Sequence, residues 1–216
     1  FLSSTLNAPT WLATEDLDRL VEAGIAVVVH GDEPTHPFAD NLMIREASAV
    51  ESLVTHLIKQ GHRRIGTVAG SQAKWAGRVR LAGYLNALNA HRIPIEEELI
   101  YEVDFARGNG ALAKEHLLAL PDPPTAVFAA NDLLAIDALL YAVDSGLRVP
   151  QDVAVAGFDD ILEASIIRPR LTTIRKDVER MGVIAAQMLL ERINNDVLLP
   201  RRQRVLDFEI IHRESA

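Results

Sequence analysis

The chain has 216 residues, 49% hydrophobic and 24% charged, enough for one large domain or two small ones with a real core, so general disorder is excluded. With zero cysteines, a disulfide framework, a thiolate metal site, an iron–sulfur cluster and a cysteine nucleophile are all excluded, and a reducing cytoplasm is the expected compartment. A formal net charge of −8, from 22 Lys+Arg against 30 Asp+Glu, repels a polyanion, and no predicted helix carries a basic face, so this segment is not expected to grip DNA itself. Apolar runs such as 25–29 are strand-sized, far short of about 20 residues, so no membrane span is expected, and the start lacks a basic-then-apolar signal. The opening Phe1-Leu2-Ser3-Ser4, without an initiator methionine and reading as a strand end, suggests a longer natural protein.

In chain order, Thr14 with Glu15 and Asp16 starts a helix that Gly24 ends, and 25–30 (IAVVVH) reads as a buried strand. Val50, Leu53, Val54, Leu57 and Ile58 follow the spacing of one apolar helix stripe, closed by Gly61. A strand over 64–69, a helix over 77–88 and a strand over 99–104 follow. Next come a helix over 111–120, a rigid turn at Pro121, Pro123 and Pro124, and a strand over 125–129. Asn131-Asp132 opens an apolar helix that Gly146 and Pro150 close, before a strand over 153–158. The rhythm then changes: 171–176 reads as extended, Val178, Met181, Ala185 and Met188 mark a helix, and 205–211 is a last strand. This alternation implies parallel sheets with helices on both faces.

In such sheets ligands sit beyond the carboxyl ends of the strands, so the residues following each strand are the candidates. They are His30-Gly31-Asp32, Gly70-Ser71, Asp104-Phe105, Asn131-Asp132 and Asp159-Asp160. Together they offer hydrogen-bonding groups and a flat aromatic face, suited to a hydroxylated ring of little net charge. Each also has a plainer reading. Asn131 can cap its helix, as can one of Asp159-Asp160; Phe105 can be core; Arg78 and Arg80 can be surface arginines. No nucleophile elbow, phosphate loop, metalloprotease helix or metal-ligand spacing of the seven histidines is present, so no catalytic residue, metal or cofactor is expected, and a binder is favoured over an enzyme.

Six stretches, in order and spacing, resemble the ligand-binding core of the lactose-repressor/galactose-repressor (LacI/GalR) family of bacterial transcription regulators. They are Gly61-His62-Arg63-Arg64-Ile65, Arg80-Leu81-Ala82-Gly83-Tyr84, Ala129-Ala130-Asn131-Asp132, Gly146-Leu147-Arg148-Val149-Pro150, Val155-Ala156-Gly157-Phe158-Asp159-Asp160 and Leu171-Thr172-Thr173-Ile174. The resemblance covers nearly the whole chain. It implies an α/β, periplasmic-binding-protein-like type I fold: two doubly wound parallel-sheet subdomains joined by three crossovers, with a ligand cleft between them. The N-subdomain would be 1–44 plus 174–196, incomplete at its start, and the C-subdomain 45–173 plus 197–216. It further implies a homodimer that meets operator DNA only through a helix-turn-helix headpiece ahead of Phe1. Arg80, Asn131 and Asp159 would be effector contacts and Phe105 the stacking aromatic.

Four departures from the family pattern bear on the effector. His30 stands where many relatives have aspartate, Arg45-Glu46 where Asp-Asn is usual, and Lys176 where some sugar binders carry glutamine; Trp75 enters the loop before Arg80. Lysine and histidine would favour an acidic or phosphorylated sugar, whereas Phe105 with Trp75 would also suit a nucleoside-like ligand. The rivals to a sugar-responsive regulator are a sugar-binding protein of an uptake system and a flavodoxin-like small-molecule enzyme.

Overall fold

The computed structural model describes residues 2–3, 14–31, 37–110, 114–195 and 200–216. In chain order its elements are β1 (Leu2–Ser3), α1 (Thr14–Glu22), β2 (Val28–His30), β3 (Asp40–Ile44), α2 (Glu46–Lys59), β4 (Ile65–Gly70), α3 (Trp75–Ala90) and β5 (Ile100–Val103). They continue with β6 (Ala126–Ala129), α4 (Asp132–Asp144), β7 (Ala154–Asp159), α5 (Leu162–Ile166), β8 (Thr172–Lys176), α6 (Val178–Asn194), β9 (Gln203–Leu206) and β10 (Phe208–Ile211). The chain forms two compact units, Phe1–Arg45 with Asp177–Phe208, and Glu46–Lys176 with Glu209–Ala216. Residues 200–208 therefore stand with the first unit rather than with the second as expected from sequence, because β9 pairs in parallel with β3, Leu42 opposite Arg204. Residues 174–176 stand with the second unit rather than the first, because β8 pairs along its length with β7.

The first unit is a parallel sheet of order β1-β2-β3-β9. Its β2 region alternates between two helices. Val28 faces Met181, Ala185 and Met188 of α6, while Val27 and Val29 pack with Leu17 and Val21 of α1. The methionines and Ala185 recur at i, i+4 and i+7, which puts them on one stripe of α6, and Asp177 caps that helix by accepting the Arg180 N–H at 2.9 Å. Asp40, fully buried at the start of β3, is held by two arginines: Arg192 of α6 and Arg202, the latter at 2.6 Å.

The second unit has a sheet of order β10-β8-β7-β6-β4-β5, with β4–β5, β4–β6, β6–β7 and β7–β8 all parallel. From β4 the chain steps outward to β5, then returns to place β6 on the other side of β4. Strand order reverses there, and adjacent crossovers leave on opposite faces, opening a crevice beyond the carboxyl ends of β4 and β6. Val127, Val155, Leu134, Ala135 and Leu139 form the core between the sheet and α4. On the other face α2 and α3 cross closely: a Cβ at Gly83 would lie 2.4 Å from the Ala47 carbonyl oxygen, so only glycine permits that approach. The chain end is stitched in by Ser215, whose Oγ accepts the Thr172 N–H at 2.9 Å and donates to the Val155 carbonyl at 2.5 Å.

Several sequence expectations need amendment. The strand expected over 25–30 is confined to Val28–His30, and β3 was not anticipated. Trp75 is the first residue of α3 rather than part of the preceding loop. In the expected helix over 111–120, a short π-helical turn occupies Lys114–Leu118, and 111–113 lie outside the described residues. The expected strand over 205–211 is two strands in two sheets, broken at Asp207.

Candidate ligand-binding site

The crevice gathers residues delivered by the ends of β4, β6, β7 and β8, by the first turn of α2 and by the first two turns of α3. Arg80, one and a half turns into α3, points inward and is only 3% exposed. Its Nη1 donates to the Ala130 carbonyl at 2.6 Å, just past β6, and its Nε donates to Glu46 Oε2 at 2.8 Å. Its Nη2 lies 3.6 Å from Asp159 Oδ1 at the end of β7. Burial opposes the guanidinium charge, but the Glu46 and Asp159 carboxylates outweigh it and raise the pKa of Arg80. The guanidinium also stacks over Phe158, its Cζ 3.8 Å from the ring centroid.

Lys176, the last residue of β8, completes the arrangement. Its Nζ lies 2.6 Å from Asp159 Oδ1 and 3.7 Å from Glu46 Oε1. Two cations and two carboxylates thus alternate in a closed ring, Glu46–Arg80–Asp159–Lys176, with a formal charge of zero. Three members are almost withdrawn from solvent, whereas the Asp159 side chain is 28% exposed. Asp159 is the carboxylate that this ring presents outward.

Phe105 forms the adjoining wall. The Arg80 Cζ and Lys74 Nζ lie 5.9 and 5.6 Å from its ring centroid. The ring rests against the end of β4 so closely that a Cβ on Gly70 would fall 1.9 Å from Cζ. Asn131 caps α4, its Oδ1 accepting the Leu134 N–H at 2.9 Å, while its Nδ2 donates to the Phe105 carbonyl at 3.3 Å. The capping role weighed from sequence is therefore realised, and the same amide braces the Phe105 loop. Lys74 in turn pairs with Asp104 at 3.5 Å on the rim.

Beneath the ring lies Asp132, completely buried. Its Oδ1 accepts the Thr173 hydroxyl at 2.5 Å and its Oδ2 the Ile161 N–H at 2.9 Å. Burial pushes its carboxyl up to about 6, aided by the nearby Asp159 and Asp160 charges and opposed by those two hydrogen bonds. Asp159 and Asp160 both have positive φ, 117° and 54°. Such conformations cost a non-glycine residue on the order of 1–3 kcal/mol and persist where surrounding contacts hold them.

Of the residues singled out from sequence, Arg80, Asn131, Asp159, Phe105 and Lys176 converge on this crevice. Trp75 is half-buried in the first turn of α3, next to Lys74. His30 is buried at the end of β2 in the first unit, whereas this cluster is built from residues of the second. Sequence reasoning missed Glu46 and Phe158 as ring partners. Glu46 had been noted only as a departure at Arg45-Glu46, and Phe158 only as part of a motif. Among the described residues, no three His, Cys, Asp or Glu side chains are grouped so as to hold a metal, and no helix is long and apolar enough to cross a membrane.

A strand-order reversal lined by hydrogen-bonding side chains defines a small-molecule-binding α/β fold, and the family model described as "Periplasmic binding protein-like domain" matches residues 54–216. The chain belongs to the LacI/GalR family. The chain is 38% identical over 173 residues to the "Probable HTH-type transcriptional repressor ExuR" of Bacillus subtilis (strain 168), covering 80% of this chain and 52% of that protein. Among solved structures, the transcriptional regulator CelR in complex with cellobiose shares 37% identity at a TM-score of 0.82, covering 91% of this chain and 61% of that one. A regulatory protein of LacI family from Chloroflexus aggregans shares 28% identity at a TM-score of 0.86, covering 100% and 75%. The chain spans about half the length of the curated relative ExuR.

Proposed function

We propose that this chain is the effector-sensing core of a bacterial transcription regulator, and that its effector is a neutral, polyhydroxylated small molecule such as a sugar. The observation that carries the ligand class is the closed charge ring. Arg80 and Lys176 are already matched by Glu46 and Asp159, so no surplus positive charge waits for a phosphate or carboxylate. The outward-facing group is the Asp159 carboxylate, an acceptor that suits sugar hydroxyls and repels anions. Phe105 offers its flat face to the ring carbons, and Asn131 positions Phe105. Of the effector classes left open by the sequence, this arrangement supports a sugar over a sugar phosphate, and the cellobiose held by CelR agrees with that choice.

In this reading, ligand binding shifts the population of core conformations, and operator affinity follows because the two equilibria are linked. We further propose that the regulator acts in the cytoplasm as a homodimer and that its DNA contacts lie in a helix-turn-helix portion of the kind that the name of the ExuR relative gives for that protein. That name also favours a regulator over an uptake-system binding protein or an enzyme. The test is calorimetric titration of cellobiose, glucose and ribose against the chain and against Asp159→Asn. Saturable binding of at least one sugar is expected, weakened about tenfold or more in the variant, which loses a charge-assisted acceptor. Binding that D159N leaves unchanged overturns the site.

A further inference from the structure

We propose that Asp160 is a positioning residue that couples the Asp159 site to the points where the chain leaves the second unit, an inference that rests on the ligand reading of Asp159. The chain passes between units at Arg45/Glu46, Lys176/Asp177 and Phe208/Glu209. At each passage the second unit's terminal residue is charged and ion-paired. Glu46 and Lys176 belong to the ring around Asp159, and Glu209 Oε2 lies 3.2 Å from Arg175 Nη1. Asp160 ties the residues beside two of these passages, Lys176/Asp177 and Phe208/Glu209: its Oδ2 accepts from Arg175 Nε and its Oδ1 from Arg213 Nη2, both at 2.6 Å, and its side chain is only 7% exposed. Arg213 is itself anchored, donating from its backbone N–H to Thr172 Oγ1 at 2.9 Å and from Nη1 to the Leu171 carbonyl at 2.8 Å.

The geometry makes the two aspartates one mechanical element. They share a peptide plane and both sit at positive φ, which sends their carboxylates to different partners: Asp159 to Lys176 and Arg80, Asp160 to Arg175 and Arg213. A hydroxyl that takes up an Asp159 lone pair competes with the Lys176 ammonium for it. Any adjustment of that backbone rotates the common peptide, and Asp160 carries the rotation to Arg175, beside one passage, and to Arg213 and its neighbours, beside another. Unlike Asp159, Asp160 need not touch ligand to do this.

The test is native-state hydrogen exchange on the chain, followed by mass spectrometry of segments 172–178 and 208–214, in a cycle of parent, Asp159→Asn, Asp160→Asn and the double variant. D160N is expected to speed exchange in both segments about tenfold, the size expected for loss of charge-assisted hydrogen bonds. D159N is expected to speed exchange in 208–214 in the parent background and to add nothing there once Asp160 is replaced. An equal D159N increment in both backgrounds, or none in the parent, overturns the proposal. Should D160N fail to fold, Arg213→Gln removes the far end of the link with Asp160 in place, and the same loss of transmission to 208–214 is expected. The cycle needs no ligand, so a failed sugar titration bears on the proposed function alone.

Discussion

Replacing Asp132 with asparagine should flatten the pH dependence of stability between pH 4 and 7. The native carboxyl binds its proton more tightly than the unfolded one, at about 6 against 3.8. Its contribution is therefore fully favourable below the unfolded value, and a penalty develops as pH rises towards the folded value. A shift of roughly 2 pK units corresponds to about 3 kcal/mol between those limits. The asparagine amide can occupy the same site without ionising, its oxygen accepting the Ile161 N–H and its NH2 donating to the Thr173 hydroxyl. Other groups titrate nearby but leave the comparison clean. Asp152 and Glu214, lowered to about 2 by Arg148 and Arg170, lose their contributions at more acid pH, and the burial-lowered His56 and His62 are common to both proteins. The assay is urea unfolding at closely spaced pH values from 4 to 7.5, followed by circular dichroism. The parent should lose about 3 kcal/mol relative to D132N across this window. Parallel curves for the two proteins would refute the reasoning that burial governs Asp132.

Gly70→Ala should displace Phe105, since the new Cβ would stand 1.9 Å from its ring; sugar binding should fall together with about 1–3 kcal/mol of stability, measurable by calorimetry and thermal unfolding. Asp40→Asn should cost about 3–5 kcal/mol in denaturant unfolding at pH 7, because it strips the counter-charge from the buried Arg192. Burial opposes the Asp40 charge, but Arg192 and Arg202 hold its carboxyl below the usual range. The stability it supplies is thus complete above about pH 4 and lost as pH falls through the depressed value, so the parent and D40N should converge in strong acid.

The parts of this fold governed by local periodicity were legible in the sequence. The Val50, Leu53, Val54, Leu57 and Ile58 stripe is the buried face of α2, and Asn131 caps the helix it opens. Elements set by distant partners were not. The β3 sequence DNLMI starts with two residues of poor strand propensity, and its Asp40 is tolerated inside because arginines 152 and 162 positions away neutralise it. The run over 205–211 looks continuous, but Leu206 pairs with β3 whereas Phe208–Ile211 joins the other sheet. The same holds at the site. Arg80 and Asp159 are recognisable because they stand in local motifs, and Phe105 because it follows the predicted strand over 99–104. Glu46, by contrast, reads as an ordinary acidic residue in a first helical turn, and its partner lies 34 positions on.

The most direct measurement is calorimetric titration of the chain with matched pairs of ligands, each a neutral sugar and the same sugar oxidised to its uronate. A charge-balanced ring with Asp159 facing outward predicts that the neutral member of a binding pair is preferred by about tenfold or more, because a ligand carboxylate would face Asp159 while Arg80 and Lys176 are already paired within the ring. Equal or tighter binding of the uronate would contradict the account.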